Sequence, residues 1–190
     1  MSANLEYPQK HLISAEEYLR MDEGGVFSPE ARLELIEGEI IEMAPIGGPH
    51  LARVNKLTRL FIERLGDRAI VSVQNAVVIA DRSVPQLDLA ILAPREDEYA
   101  SSLPTSSDVL LVVEVSDTTL HYDLRTKVPL YARCGIREAW VVDVNEHVIH
   151  VFRDPGPTGY ASSLVAGPGE RVACVALPEA TVEVAELFPA

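Results

Sequence analysis

Residues 109–115 read Val-Leu-Leu-Val-Val-Glu-Val. A strand this apolar leaves no face for water, so it belongs in the middle of a sheet covered on both sides, and the rest of the chain must supply the cover. Glu114 breaks the run near its end. A carboxylate beside a dry sheet is costly unless a cation or hydrogen-bond donors hold it. A second acid, Asp88, is set in Leu87-Asp88-Leu89-Ala90-Ile91-Leu92. Two acids at the ends of neighbouring strands suggest a site for a hard metal ion with oxygen ligands. Lys127 follows shortly after the second acid, and the set of acid, acid and lysine points to metal-assisted phosphodiester cleavage.

The cover is readable on either side of that strand. Ser14-Ala15-Glu16-Glu17 has capping-box spacing and predicts a short helix over 15–21. Strands at 33–36 and 40–43 are joined by Glu37-Gly38, a hairpin signal. From 50 to 65, Leu51, Val54, Leu57, Phe61 and Leu65 recur at helical spacing, with Pro49 near the first turn and Gly66 as the cap. Strands are expected at 69–74, 76–79, 87–92 and 109–115. A helix is expected to start near Arg125 or Thr126, because Pro129 cannot sit deep inside it, and to end near Cys134 with Gly135 as cap. Strands at 138–144 and 148–152 follow, then a Pro-, Gly- and Ala-rich remainder with short edge strands and a terminal turn at 184–187. This order gives an α/β (α+β) domain: a mixed central sheet flanked by helices and preceded by a β-hairpin.

The 190 residues are 47% hydrophobic, which fits one domain over 1–190 with a real core at about 10–155 and a C-terminal edge-strand extension over 156–190. No run approaches the length of a membrane span. Residues 1–8 lack the basic and apolar regions of a secretion signal. Cys134 and Cys174 are too few for a disulfide scaffold or a cysteine-based zinc site, so a reducing, cytoplasmic setting is expected. The net charge of −13 argues against tight nonspecific binding to nucleic acid, though a bridging metal and a local basic face can offset it.

Several stretches together resemble one family. They are Leu33-Glu34-Leu35-Ile36-Glu37-Gly38-Glu39-Ile40, Pro49-His50, Pro85-Gln86-Leu87-Asp88-Leu89-Ala90, Val112-Val113-Glu114-Val115-Ser116, and Tyr122-Asp123 through Lys127 to Leu130-Tyr131-Ala132-Arg133, leading into Trp140-Val141-Val142-Asp143. In order and spacing they resemble the restriction-endonuclease-like, or PD-(D/E)XK, nuclease superfamily, and within it the Uma-two endonuclease family. The resemblance covers roughly residues 10–155. It implies a restriction-endonuclease-like sheet, a Mg²⁺ or Mn²⁺ cofactor and a nucleic-acid substrate, expected to be DNA. The superfamily pattern asks for proline before the first acid and lysine two residues after the second. Here Leu87 and Ser116 stand there. The family carries its lysine on the following helix, so the resemblance assigns that role to Lys127, with Asp88 and Glu114 as catalytic acids and metal ligands. Glu34 and the backbone carbonyl of Val115 are further candidate ligands, with Glu39, just past the hairpin turn, as a second choice to Glu34.

Each residue also has a plainer reading. Asp88 fits a solvated position on an alternating strand, Lys127 a surface lysine, and Glu34 and Glu39 exposed hairpin positions. His50 opens the long helix, where a histidine is more often structural. Asp123 fits either a helix cap or a partner of Lys127, and Tyr131 a packed ring with its hydroxyl near the site. Trp140 reads as core. Arg53, Lys56 and Arg59 share a helix face that either guides nucleic acid or is simply solvated. The expected function is a metal-dependent endonuclease. The alternatives are a catalytically silent nucleic-acid-binding or protein-interaction module on the same fold, and hydrolysis of a smaller phosphoester. A homodimer covered by 148–152 and the trailing segment is a further expectation, since cutting two strands favours paired sites.

Overall fold

The computed structural model describes residues 8–188. Residues 1–7, most of the stretch scanned for a secretion signal, lie outside them. Helix α1 (Ala15–Glu23) opens on a complete capping box: the Glu17 N–H donates to the Ser14 hydroxyl at 3.2 Å, and the Ser14 N–H to Glu17 Oε2 at 2.8 Å. Strands β1 (Leu33–Ile36) and β2 (Glu39–Glu42) form the expected hairpin. Its two turn residues, Glu37 and Gly38, have φ of 50° and 87°, the left-handed pair that a tight hairpin turn needs. Gly38 is also sterically required, because a Cβ there would lie 2.7 Å from that of Leu12.

Helix α2 (Gly48–Leu65) carries Pro in its first turn and buries Val54, Leu57, Leu60, Phe61 and Leu65. The main sheet runs β3 (Ile70–Ala76), β4 (Gln86–Leu92), β5 (Val109–Ser116), β6 (Glu138–Asp143), β7 (Val148–Gly156), β8 (Gly159–Ala166), each strand beside the next. All pairs are antiparallel except β5 with β6. That parallel step needs a crossover, and the helical stretch between the two strands provides it.

Alternation along β5 sorts the molecule into two layers. Leu111, Val113 and Val115 pack with α2 and with the C-terminal elements β9 (Arg171–Ala173), β10 (Thr181–Glu183) and α5 (Val184–Leu187). Val112 packs on the other side with Leu130, Tyr131 and Ile136. Glu114 shares the parity of Val112, so it faces the crossover helix and not α2. Burial of each such Val or Leu contributes about 1.5–3 kcal/mol on either face, so the face is chosen by Glu114, whose carboxylate finds Lys127 and Tyr131 only on the crossover side. Trp140 is fully buried, and its indole N–H donates to Glu138 at 2.8 Å.

Two expectations need correction. The strand expected at 76–79 does not form: Ala76 ends β3, and 77–79 lie outside any strand. The Val77 N–H donates to Pro85 O at 3.1 Å and the Val78 N–H to Pro104 O at 2.9 Å, so only isolated bridges form there. The crossover helix begins earlier than Arg125. It starts as α3 (Leu120–Tyr122), widens into a π turn at Asp123–Lys127, and continues as α4 (Val128–Arg133). In that turn the Val128 N–H reaches back to Asp123 O. The wide turn places Pro129 at the start of α4, where its missing N–H costs little. Residues 148–152 form the first part of β7, between β6 and β8, and β8 of the trailing segment is the outer strand on this side.

Candidate active site

The β4–β5 ladder stops at Leu89 opposite Val113. The next residues in register are Asp88 and Glu114. Here side chains replace the ladder: the Val115 N–H donates to Asp88 Oδ2 at 2.9 Å, and the Asp88 N–H to Glu114 Oε2 at 3.4 Å. The two strands therefore part where both acids emerge. Glu34 reaches the same place from β1, accepting from the Gln86 N–H at 3.3 Å. Lys127, at the end of the π turn, sets its Nζ 2.9 Å from Glu114 Oε1 and 3.3 Å from Glu34 Oε2. Glu34, Glu114 and Lys127 are all buried, at 1%, 3% and 4% exposure.

The neighbours hold these groups rigidly. The Tyr131 hydroxyl donates to Glu114 Oε1. His50, in the first turn of α2, sets Nε2 2.9 Å from Asp88 Oδ1. Asp123 accepts from the Ser116 hydroxyl at 2.7 Å and the Thr119 hydroxyl at 2.6 Å, which ties the π turn to the end of β5. It thus braces the turn and makes no direct bond to Lys127.

The electrostatics follow from burial. Burial pushes the Glu114 carboxyl above the usual carboxylate range; Lys127 opposes this and Asp88 adds to it. Burial works against the Lys127 charge, but Glu114 and Glu34 outweigh it and keep the ammonium protonated. Burial also lowers the His50 pKa, and the Asp88 contact more than restores it. Burial and Glu34 together raise Tyr122, whose hydroxyl lies 3.5 Å from Glu34 Oε1.

Glu34, His50, Asp88, Glu114, Tyr122, Asp123 and Lys127 line a cleft of about 400 Å³, whose wall also includes residues 41–47 and 117–119. Its lining includes Glu34, Asp88, Glu114 and Asp123 against one ammonium, one imidazole and Arg32. Among the described residues, no three His, Cys, Asp or Glu side chains stand as a ready metal cage, because Glu34 and Glu114 are turned onto Lys127. The donor set nonetheless fits a Mg²⁺-type ion. Such an ion takes oxygen ligands, keeps several waters and needs only one or two carboxylates. The acids outnumber the cations, and Gln86 Oε1, buried without a hydrogen-bond partner, adds a free acceptor on the cleft wall.

The sequence-predicted residues Asp88, Glu114, Lys127 and Glu34 are thus brought together, while Glu39 is exposed and paired with Lys10. Val115 is present through its N–H on Asp88. Arg53 lies over the Phe188 ring, 5.0 Å from its centroid, and does not line the cleft. Arg32 was missed, although it stands two residues before Glu34 and so shares its face of the hairpin.

Comparison with known proteins places this geometry in context. The Uma2 family model, described as "Putative restriction endonuclease", matches residues 15–185. No curated protein matches. The fold is shared with a solved structure described as "a putative nuclease belonging to DUF820 from Anabaena variabilis ATCC 29413", with a TM-score of 0.73 and 18% identity over 93% of this chain and 97% of that one. At that identity the likeness speaks for the fold alone, a mixed α+β sheet with flanking helices.

Proposed function

The chain belongs to the Uma2 family, and from that premise we propose that it is a Mg²⁺- or Mn²⁺-dependent nuclease, with DNA as its first substrate. The observation that carries this reading is the convergence of Asp88, Glu114, Glu34 and Lys127 where β4 and β5 part.

Asp88 and Glu114 would hold the ion, with Glu34 and the Val115 carbonyl as further ligands. When bound, such an ion polarises the phosphate and lowers the pKa of water. The protein's own groups do the rest. The Val115 N–H and His50 hold the two oxygens of Asp88, and Tyr131 holds Glu114, so both acids are kept at the mouth of the parted strands. Lys127 sits against both glutamates and supplies the positive charge that orients a water or steadies the departing oxygen. Leu87, Ala90 and Val112 close the layer beneath, which keeps the dielectric low around these charges.

The test is direct. The purified chain is incubated with supercoiled plasmid, linear duplex, single-stranded DNA and RNA, in Mg²⁺, Mn²⁺ or EDTA. Cleavage in the metal lanes and none in EDTA is expected. Intact substrates throughout would remove the proposal in favour of a catalytically silent module.

A paired form belongs to the same reading, since one site cuts one strand. Light scattering on a sizing column is expected to give two chains per particle in a reducing, cytoplasm-like buffer. A single chain at working concentration would remove the dimer and leave the chemistry untouched.

A further inference from the structure

A nucleic acid carries a negative charge at every phosphate, and the charged residues that line the cleft are mainly acids. Something in it must meet the phosphates. Three basic side chains line the cleft: Arg32, His50 and Lys127. Lys127 is committed to Glu114 and Glu34, and His50 to Asp88. Arg32 differs. Its Nη1 donates to the Ala44 carbonyl at 2.5 Å, and among the described residues no carboxylate lies within ion-pair distance of it.

Its position is set by the hairpin. The Met43 N–H donates to Arg32 O at 2.8 Å, extending the β1–β2 pairing by one step beyond Leu33 opposite Glu42. Arg32 therefore lies two residues from Glu34 on the same face, about 6.5 Å farther along the cleft wall. The Ala44 carbonyl anchors one corner of a guanidinium that has five N–H donors in all, which leaves most of the fork for a ligand. Arg32 is half-buried, so its charge is only partly screened by water.

We infer that Arg32 is the phosphate contact of this site, gripping a phosphodiester of the strand that lies in the cleft, one step outward from the acids. This rests on the nuclease reading and adds to it the residue that lets an acidic protein hold an acidic polymer. A guanidinium suits the task because it meets two phosphate oxygens at once.

The experiment is fluorescence anisotropy of a labelled DNA oligonucleotide, single-stranded and duplex, titrated with the full chain over a series of KCl concentrations. Ca²⁺ is the sole divalent ion, and the probe is checked for integrity on a gel. Arg32→Ala is expected to weaken binding about tenfold or more, and to make the plot of log affinity against log salt shallower by about 1. Arg32→Lys is expected to recover the slope but only part of the affinity, because a lysine cannot bind in two prongs. Arg171→Ala removes the same formal charge from an exposed residue outside the cleft, paired with Glu183, and is expected to leave the slope unchanged. Thermal melts of each variant exclude misfolding as the cause. Wild-type binding with an unaltered slope in Arg32→Ala would overturn this inference and leave the nuclease reading standing. A wild type that binds neither probe overturns both.

Discussion

Glu114→Gln is expected to abolish metal-dependent cleavage, by on the order of 10³-fold, while leaving the fold intact. The two halves of that expectation have separate causes. Glutamine keeps the shape of the side chain and one carbonyl oxygen, which still accepts from Tyr131 and Lys127. The Lys127 ammonium keeps Glu34 as a carboxylate partner at 3.3 Å, so its buried charge is not left alone. A divalent ion loses far more. It exchanges an anionic oxygen for an amide in a dry pocket, where each charge counts for several times its value in water. Plasmid nicking followed in time gives the activity. Thermal melts with and without Mg²⁺ give a readout independent of turnover. The wild type should melt higher with the ion, since a ligand that binds only the folded state stabilises it, and Glu114→Gln should lose that rise. A variant that nicks plasmid at the wild-type rate would mean that the activity lies elsewhere in the chain or in a contaminant.

How much of this was legible in the sequence depends on which force places each residue. Glu114 was legible because five apolar residues precede it, so a carboxylate at this point has to be buried and held by a partner. The hairpin was legible because Glu37 and Gly38 are the sort of pair that a left-handed turn selects. Lys127 was not. An α-helical count puts it one turn before Tyr131, and the two side chains do meet the same Glu114 oxygen, but a lysine on a helix reads as a surface residue until its partner across the fold is known, and the family resemblance singled it out. His50 read as structural because a helix start gives no hint of what lies across it, and its partner Asp88 is 38 residues away. The same limit hid Arg32, whose function depends on what Lys127 and His50 already hold. Residues 77–79 have the apolar composition of a strand, yet the carbonyls of Pro85 and Pro104 accept from Val77 and Val78 and leave the segment outside the sheet.

Lys127→Ala is expected to cost stability as well as activity. Its ammonium is the cation closest to two acids that are themselves 1% and 3% exposed. Deleting one partner of a buried ion pair costs about 3–5 kcal/mol, because the other partner is left charged and dry. For a chain of this size that corresponds to a fall of roughly 10 °C in Tm. Lys127→Met, which fills the space without the charge, should fall nearly as far, so that charge and not volume is the cause. Combining it with Glu114→Gln should restore part of the loss, since one of the stranded acids is then removed, and the non-additivity measures the coupling. Mg²⁺ provides the decisive comparison. If the ion and the ammonium neutralise the same acids, the metal should raise the Tm of Lys127→Ala by more than that of the wild type, while cleavage stays lost for want of the amine. A Lys127→Ala protein that melts with the wild type would show that the ammonium does not compensate these acids, and the proposed division of labour between lysine and metal would fall with it.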